Sequence, residues 1–473
     1  MDLFTHKDIL RTEVENTIKV TNPATNEILA YVKKTDATML ETIIQKAQIA
    51  QKQWAQTLAE ERSDKLMRFY TLMLENKESL AEIMTKEQGK PLAESLGEIV
   101  YAASFIKWFA AEARQICGDV MESKTKAQKL ITIKQPIGVC AAITPWNFPS
   151  AMITRKIAPA LASGCAMIVK SASQTPLSAY ALELLAREAG IPEDVFVVVN
   201  GDSNVIGDVL CASEVIRKLS FTGSTQVGAQ LYVKCAKTIK KLSMELGGNA
   251  PFIVFDDANL EEAIAGVMAS KFRNSGQTCV CANRIYVQNG IYPRFCDLLQ
   301  QKMQTLRVGN GLEKGINQGP LINQAAVEKV KEHIADALQK GAKLLSGGKA
   351  HSLGGTYFEP TLICGVRSDM LVAKEETFAP LAPIFKFETE EEAIELANDT
   401  EFGLAAYFFT QDYKRQWRVA ESLEYGMVGI NTGLISNEVA PFGGVKHSGL
   451  GREGSKYGID EYMELKYLCL NLQ

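Results

Sequence analysis

The sequence predicts an α/β protein built from two doubly wound units, and three observations carry that expectation. From about residue 137 onward, short apolar runs alternate with helical stretches, the pattern of parallel strands covered on both faces. The alternation comes in two successive series, which implies two sheets with a cleft between them. At 473 residues the chain also exceeds what one hydrophobic core usually spans.

The first section reads as helical. Asp36 is placed to cap a helix in which Met39, Leu40, Ile43, Ile44, Ala47 and Trp54 recur at helical spacing. Residues 62–86 continue the pattern through Leu66, Phe69, Met73, Leu80 and Ile83. The first strand series follows as Val139–Ile143, Ala166–Val169, Val195–Val199 and Ile216–Phe221. A helix over Ser178–Ala189 sits within it, closed by Gly190 and Pro192. The second series offers strands at Phe252–Phe255, Arg284–Val287, Ala406–Phe409 and Val428–Ile430, with helices expected near 259–272, 322–340, 390–398 and 412–422.

Composition narrows the function classes. A net charge of −4 leaves no basic stripe for nucleic acid, and the run Glu390-Glu391-Glu392 reads as a solvated helix start. No stretch of 18 apolar residues occurs, so no membrane partner is expected. Met1 to Arg11 has no apolar core of signal-peptide length, which makes the cytoplasm the expected address. The ten cysteines lack paired CxxC spacing and read as free thiols. The four histidines show no HxH or HxxxH spacing, so no metal is expected.

Three segments carry residue types that are costly where they fall. Thr144-Pro145-Trp146-Asn147-Phe148-Pro149 follows a strand directly, and two prolines fix an irregular turn where open α/β sheets place ligands. Phe221-Thr222-Gly223-Ser224-Thr225-Gln226-Val227-Gly228 joins a strand to a helix whose N-terminus can hold a phosphate. Ser275-Gly276-Gln277-Thr278-Cys279-Val280-Cys281 sets a cysteine among small polar residues, about one element after Met244-Glu245-Leu246-Gly247-Gly248. Each is common by itself; a rigid turn, a glycine turn and a small buried thiol account for them one at a time.

Together and in this order they resemble the aldehyde dehydrogenase superfamily, as do Glu375-Glu376-Thr377-Phe378-Ala379-Pro380 and Pro441-Phe442-Gly443-Gly444-Val445-Lys446-His447-Ser448-Gly449. The resemblance runs from about residue 20 to the end. It implies that Cys279 is a nucleophile that forms a thiohemiacetal and then a thioester. Asn147 and the Cys279 backbone N–H would hold the oxyanion, and Glu245 would activate the hydrolytic water. The presence of Glu245 argues against a CoA-acylating relative, and the presence of all three residues against a catalytically silent one. The implied cofactor contacts are Gly223 and Ser224 at the pyrophosphate, Trp146 and Leu246 lining the site, and Glu376 and Phe378 at the nicotinamide ribose and ring. Lys170 would reach the adenosine ribose. Many NAD-preferring members carry a glutamate three residues after this lysine, where Ser173 stands here. The smaller hydroxyl leaves room for a 2′-phosphate, so NADP is the expected cofactor, with NAD possible.

Ile435-Ser436-Asn437-Glu438-Val439-Ala440-Pro441, with Gly449-Leu450-Gly451-Arg452-Glu453-Gly454, is similar to the succinate-semialdehyde dehydrogenase branch of that family. This implies a semialdehyde substrate whose carboxylate is held by Arg155, Arg273 and Ser436; glutarate semialdehyde, one methylene longer, is the alternative. A place in 4-aminobutyrate degradation follows by the same analogy. Cys281 is a candidate redox partner of Cys279 if the segment is extended. The resemblance further implies a division into a cofactor domain (1–122 and 141–245), a catalytic domain (246–445) and a small β oligomerisation extension (123–140 and 446–473). The tail at 460–471 alternates like a strand, and a homodimer or homotetramer is expected.

Overall fold

The computed structural model describes residues 2–472. It contains two large sheets, as the double alternation predicts. In the first, Gly449–Leu450, Lys241–Glu245, Ile216–Thr222, Val139–Ile143, Ala166–Lys170 and Phe196–Val199 lie side by side in that order. All pairs are parallel except the short Gly449–Leu450 edge. The reversal from Val139–Ile143 to its two sheet neighbours, Ala166–Lys170 and Ile216–Thr222, is the topological switch where such sheets open a crevice.

The second sheet has the order Lys343–Ser346, Thr361–Val366, Leu381–Phe387, Ala282–Gln288, Ala250–Val254, Ala405–Phe409, Met427–Ile430. The first three of these strands are absent from the sequence expectation. Leu381–Phe387 carries Pro383, a residue normally confined to edges, yet it is paired on both sides. The helices Leu260–Lys271, Gln324–Gln339, Glu390–Asn398 and Tyr413–Ser422 lie where expected. The stretch 62–86 is two helices, Ala59–Glu75 and Lys77–Gln88. Asn76 separates them, its side-chain amide donating to the Leu72 carbonyl at 2.9 Å.

A third, small sheet places Gln128–Pro136 between Val120–Met121 and the C-terminal Met463–Asn471. The nine-residue tail strand pairs antiparallel along its whole length, from Met463 with Pro136 to Asn471 with Gln128. It is exposed on both faces from Glu464 onward. Among the described residues no helix is long and apolar enough to cross a membrane.

The helix Leu92–Glu112 packs against Ala59–Glu75 and Ala151–Ser163 with Phe105, Ile106 and Phe109 fully buried. It brings Glu98 behind the Trp146-Asn147 turn and Glu94 to the Asn274 N–H, which positions the site described next.

Candidate active site

The Trp146-Asn147 turn leaves the end of Val139–Ile143 and enters the helix Ala151–Ser163. A carboxylate starts that helix from a distance: Glu98 Oε1 accepts the N–H groups of Ser150 and Ala151 at 2.9 and 3.2 Å, satisfying donors a helix start leaves free. Its other oxygen pairs with Lys90 Nζ at 2.6 Å, and that ammonium also donates to the Asn147 carbonyl at 2.7 Å. Lys90 and Glu98 are both buried, so each charge is matched where water cannot reach.

Opposite the turn lies the loop that carries Cys279. Asn147 Nδ2 donates to the Gln277 carbonyl at 3.0 Å, which ties the turn to the loop two residues before the cysteine. Gln277 is anchored in turn, its Oε1 accepting the Ile322 N–H at 2.9 Å. Gly276 cannot be replaced by a larger residue, because a Cβ there would sit 2.2 Å from the Ala379 carbonyl oxygen. Cys279 is half-buried at the surface of a cavity of about 220 Å³. Burial pushes its thiol up to about 12, against the pull of Arg155.

Eight of the residues expected from the sequence line this one cavity. Cys279, Asn147 and Trp146 form one wall; Gly223, Ser224 and Leu246 form another; Glu376 and Phe378 close it. Trp146 and Phe378 meet edge to face with ring centroids 5.8 Å apart. Ser224 caps the helix Thr225–Cys235, accepting the Val227 N–H. A Cβ on Gly228 would sit 2.3 Å from Leu246, so glycine lets the helix start pack against that side chain. Glu376 Oε1 is buried on the cavity wall without a hydrogen-bond partner, and burial raises its carboxyl to about 8.

Glu245 ends the strand Lys241–Glu245, 2% exposed, with both carboxylate oxygens unpartnered. Burial first, then the charge of Glu453, push its carboxyl well above the usual range; Arg155 and Lys156 pull the other way. Those two cations are adjacent in the otherwise uncharged helix Ala151–Ser163, and both pair with Glu453. Lys156 also donates to Thr222 Oγ1 at 2.7 Å. Although buried, Glu453 is held below the ordinary carboxylate range by Arg155 and Lys156. Sequence reasoning missed Lys156, Glu453, Lys90 and Glu98. The available signal was chemical: two consecutive cations among apolar helix residues require an anion.

The remaining expected residues lie off the cavity wall. Arg155 is 1% exposed, stacked on the Phe442 ring at 4.2 Å and already charge-paired with Glu453. Arg273 stacks on Phe148 at 5.2 Å, and its Nε is buried without a hydrogen-bond partner. Ser436 is half-buried in the 431–440 loop. Lys170 donates to the Ser171 carbonyl at 2.9 Å, and Ser173 to Asn200 Oδ1 at 3.2 Å, at the C-terminal ends of neighbouring strands. Burial brings the Lys170 ammonium down to about 8. The condition set for Cys281 is not met: its N–H donates to the Thr278 carbonyl at 3.0 Å, so the segment turns rather than extends. The Cys281 thiol points to the Lys271 carbonyl, 3.6 Å away.

Known proteins resemble the chain over nearly its whole length. A model described as the aldehyde dehydrogenase family matches residues 10–468. Glutarate-semialdehyde dehydrogenase of Pseudomonas aeruginosa is 61% identical over 454 residues, covering 96% of this chain and 94% of that protein. The NADP(+) succinate-semialdehyde dehydrogenase GabD of Escherichia coli is 59% identical over 455 residues, covering 96% and 94%. A crystal structure of an NADP-dependent enzyme from E. coli superposes with a TM-score of 0.97 at 57% identity, covering 99% of this chain and 98% of that one.

Proposed function

The chain belongs to the aldehyde dehydrogenase family, and from that premise we propose that it oxidises succinate semialdehyde to succinate with NADP. One observation carries the reading: Cys279 and Asn147 share a cavity with Ser224, Glu376 and Phe378, so a nucleophile, an oxyanion donor and a dinucleotide surface converge. Glu245, whose charge acts on the Cys279 thiol, takes the Sγ proton and passes it to solvent; Sγ then attacks the aldehyde carbon, and as the C–S bond forms the carbonyl π pair moves onto the oxygen beside Asn147. One N–H of the Asn147 amide is committed to Gln277, which leaves the other for that oxygen. Glu245 takes the proton from the water that cleaves the thioester; burial raises its affinity for protons, which suits a general base.

A bound dinucleotide would supply the hydride acceptor that this adduct requires. The residues present fit it. Ser224 stands at a helix N-terminus that favours a pyrophosphate. Glu376 Oε1 is an orphaned acceptor suited to a ribose hydroxyl, and Trp146, Leu246 and Phe378 supply apolar walls. Ser173 in place of an acidic side chain, with Lys170 close by in the chain, supports a 2′-phosphate. The E. coli relative named for NADP(+) agrees with that reading.

For the substrate's carboxylate, Arg273 is the stronger of the two expected arginines, because Arg155 already neutralises Glu453. Ser436, half-buried in the 431–440 loop, would supply a hydroxyl. The second reading, glutarate semialdehyde, is favoured by the 61% identity to an enzyme named for it. A one-methylene difference is worth only roughly 1–3 kcal/mol, so both substrates are accepted. The division into a cofactor domain (1–122 and 141–245), a catalytic domain (246–445) and assembly segments (123–140 and 446–473) is supported by the two large sheets and the small one, although Gly449–Leu450 joins the first large sheet and Val120–Met121 the small one. Leu465, Tyr467 and Leu470 on the tail strand are each more than half exposed, which supports a homo-oligomer built through that strand.

The test is a steady-state assay of succinate semialdehyde, glutarate semialdehyde and butanal with NADP and with NAD. The highest kcat/KM is expected for succinate semialdehyde with NADP. Failure to form reduced dinucleotide with any of the three aldehydes overturns the proposal.

A further inference from the structure

Asn274 stands five residues before Cys279 and is 1% exposed. Its backbone lies in the left-handed region at φ 51°, followed by Ser275 at 55° and Gly276 at 75°. Side chains disfavour this region, and a run of such residues persists only where the surroundings over-determine it. Here they do. The Asn274 N–H donates to Glu94 Oε2 at 2.7 Å, and its carbonyl accepts the Gln277 N–H and Gln277 Nε2 at 3.0 and 3.1 Å. Asn274 Oδ1 accepts from Gln88 Nε2 at 3.0 Å.

The side-chain amide is the informative group. Asn274 Nδ2 donates both to the Asn147 carbonyl, at 3.0 Å, and to the Gln277 carbonyl, at 3.2 Å. The Gln277 carbonyl is also the acceptor on which Asn147 Nδ2 rests, at 3.0 Å. A single amide therefore holds Asn147 at both ends, by its backbone and by the atom that aims its side chain. A residue present only to fill the loop does not need both bonds to end on the group that orients the oxyanion donor.

We propose that Asn274 is a positioning residue that sets the direction of the Asn147 amide. This deepens the proposed function and rests on its reading of Asn147 as oxyanion donor. The oxyanion bond depends steeply on geometry, and a displacement of about 1 Å can cost on the order of 10²-fold in rate.

The test is a double-mutant cycle on the full enzyme with succinate semialdehyde and NADP. Asn147→Ala is expected to lower kcat by about 10²–10³-fold, as loss of an oxyanion donor does. Asn274→Ala is expected to lower kcat by about 10–100-fold with little change in KM, and to leave alkylation of Cys279 by iodoacetamide within about twofold. The double variant should lose no more than Asn147→Ala alone, because Asn274 acts only through Asn147. Multiplying losses, or a kcat for Asn274→Ala within about twofold of wild type, overturn the proposal. If Asn274→Ala does not fold, Gln88→Leu removes the hold on Oδ1, together with the acceptor of the Lys90 N–H, and is read in the same cycle, with a smaller loss that again vanishes on the Asn147→Ala background. A wild-type kcat for Gln88→Leu overturns the proposal equally. Full activity of Asn147→Ala would instead sink the oxyanion reading, so the two failures are distinct.

Discussion

The two sides of the cavity are held in different ways. The loop carrying Cys279 is pinned from far along the chain: Asn147 and Asn274 meet on the Gln277 carbonyl, Ser275 Oγ donates to Gly319 at 2.9 Å, and Tyr407 Oη donates to Val280 at 2.7 Å. The start of the helix Thr225–Cys235 has a local cap from Ser224, and Thr225 Oγ1 donates to the His447 carbonyl and accepts the Gly247 N–H. Ser224, Gln226 and Val227 are exposed there, whereas residues 274–278 are all buried. The difference fits the two tasks. Bond making at sulfur needs atoms fixed to a fraction of an ångström, while a dinucleotide must enter and leave each turnover.

If the pinned side is where bonds are made, changing it alters rate and leaves dinucleotide binding alone. Cys279→Ser should lower kcat by at least about 10⁴-fold, as removal of a covalent nucleophile does. The dissociation constant for NADP, read by quenching of protein fluorescence, should stay within about twofold, because the Ser224 side is untouched. A serine variant that oxidises aldehydes within about tenfold of the wild-type rate breaks the comparison at its root.

The two arginines sharpen it. Arg273→Ala should raise KM for succinate semialdehyde by about 10–100-fold, the worth of a hydrogen bond to a charged group, and leave KM for butanal nearly unchanged. Equal increases for both aldehydes would make Arg273 a structural residue. Arg155→Ala should act on the fold instead. It leaves Glu453 buried with Lys156 as its remaining ion-pair partner, and breaking such a pair costs about 3–5 kcal/mol, seen as a lower urea midpoint.

How much of this was legible in the sequence follows the same physics. Strands such as Val139–Ile143 and Ala166–Lys170 are buried on both faces, so they read as unbroken apolar runs. The helix Leu92–Glu112 escaped notice because apolar residues occupy nearly all of its circumference, which blurs the 3.6-residue period. The break at Asn76 was invisible because Leu66, Phe69, Met73, Leu80 and Ile83 keep their spacing across it. Pro383 hid the strand Leu381–Phe387. In the site, the cavity wall was legible through its motifs, whereas the Lys90, Glu98, Lys156 and Glu453 network was not. Lysine and glutamate look the same in a sequence whether solvated or buried, and only tertiary contact reveals the pairing.

On the open side, a cofactor change should leave the chemistry intact. Ser173→Glu puts a carboxylate three residues after Lys170, where it repels a 2′-phosphate and accepts from ribose hydroxyls. The ratio of kcat/KM for NADP over NAD should fall by about tenfold or more, while kcat at saturating cofactor stays within about twofold. A fall in kcat of the same size would mean that the two sides are coupled more tightly than their contacts suggest.

The smallest effect expected is a pH dependence confined to that choice of cofactor. Burial lowers the Lys170 ammonium to about 8, so the side chain is charged below that pH and loses its proton above it. Only the charged form attracts a 2′-phosphate, whereas the unphosphorylated ribose of NAD has little need of it. The NADP-to-NAD ratio of kcat/KM should therefore be level near pH 7, above the titration of the 2′-phosphate at about pH 6, and decline by at most about tenfold per unit above pH 8. Titration of Cys279 and Glu245 affects both cofactors alike and cancels in the ratio. Lys170→Met should lower the ratio and flatten it. A slope that survives in Lys170→Met assigns the titration to another group, and a flat wild-type ratio removes Lys170 from phosphate recognition.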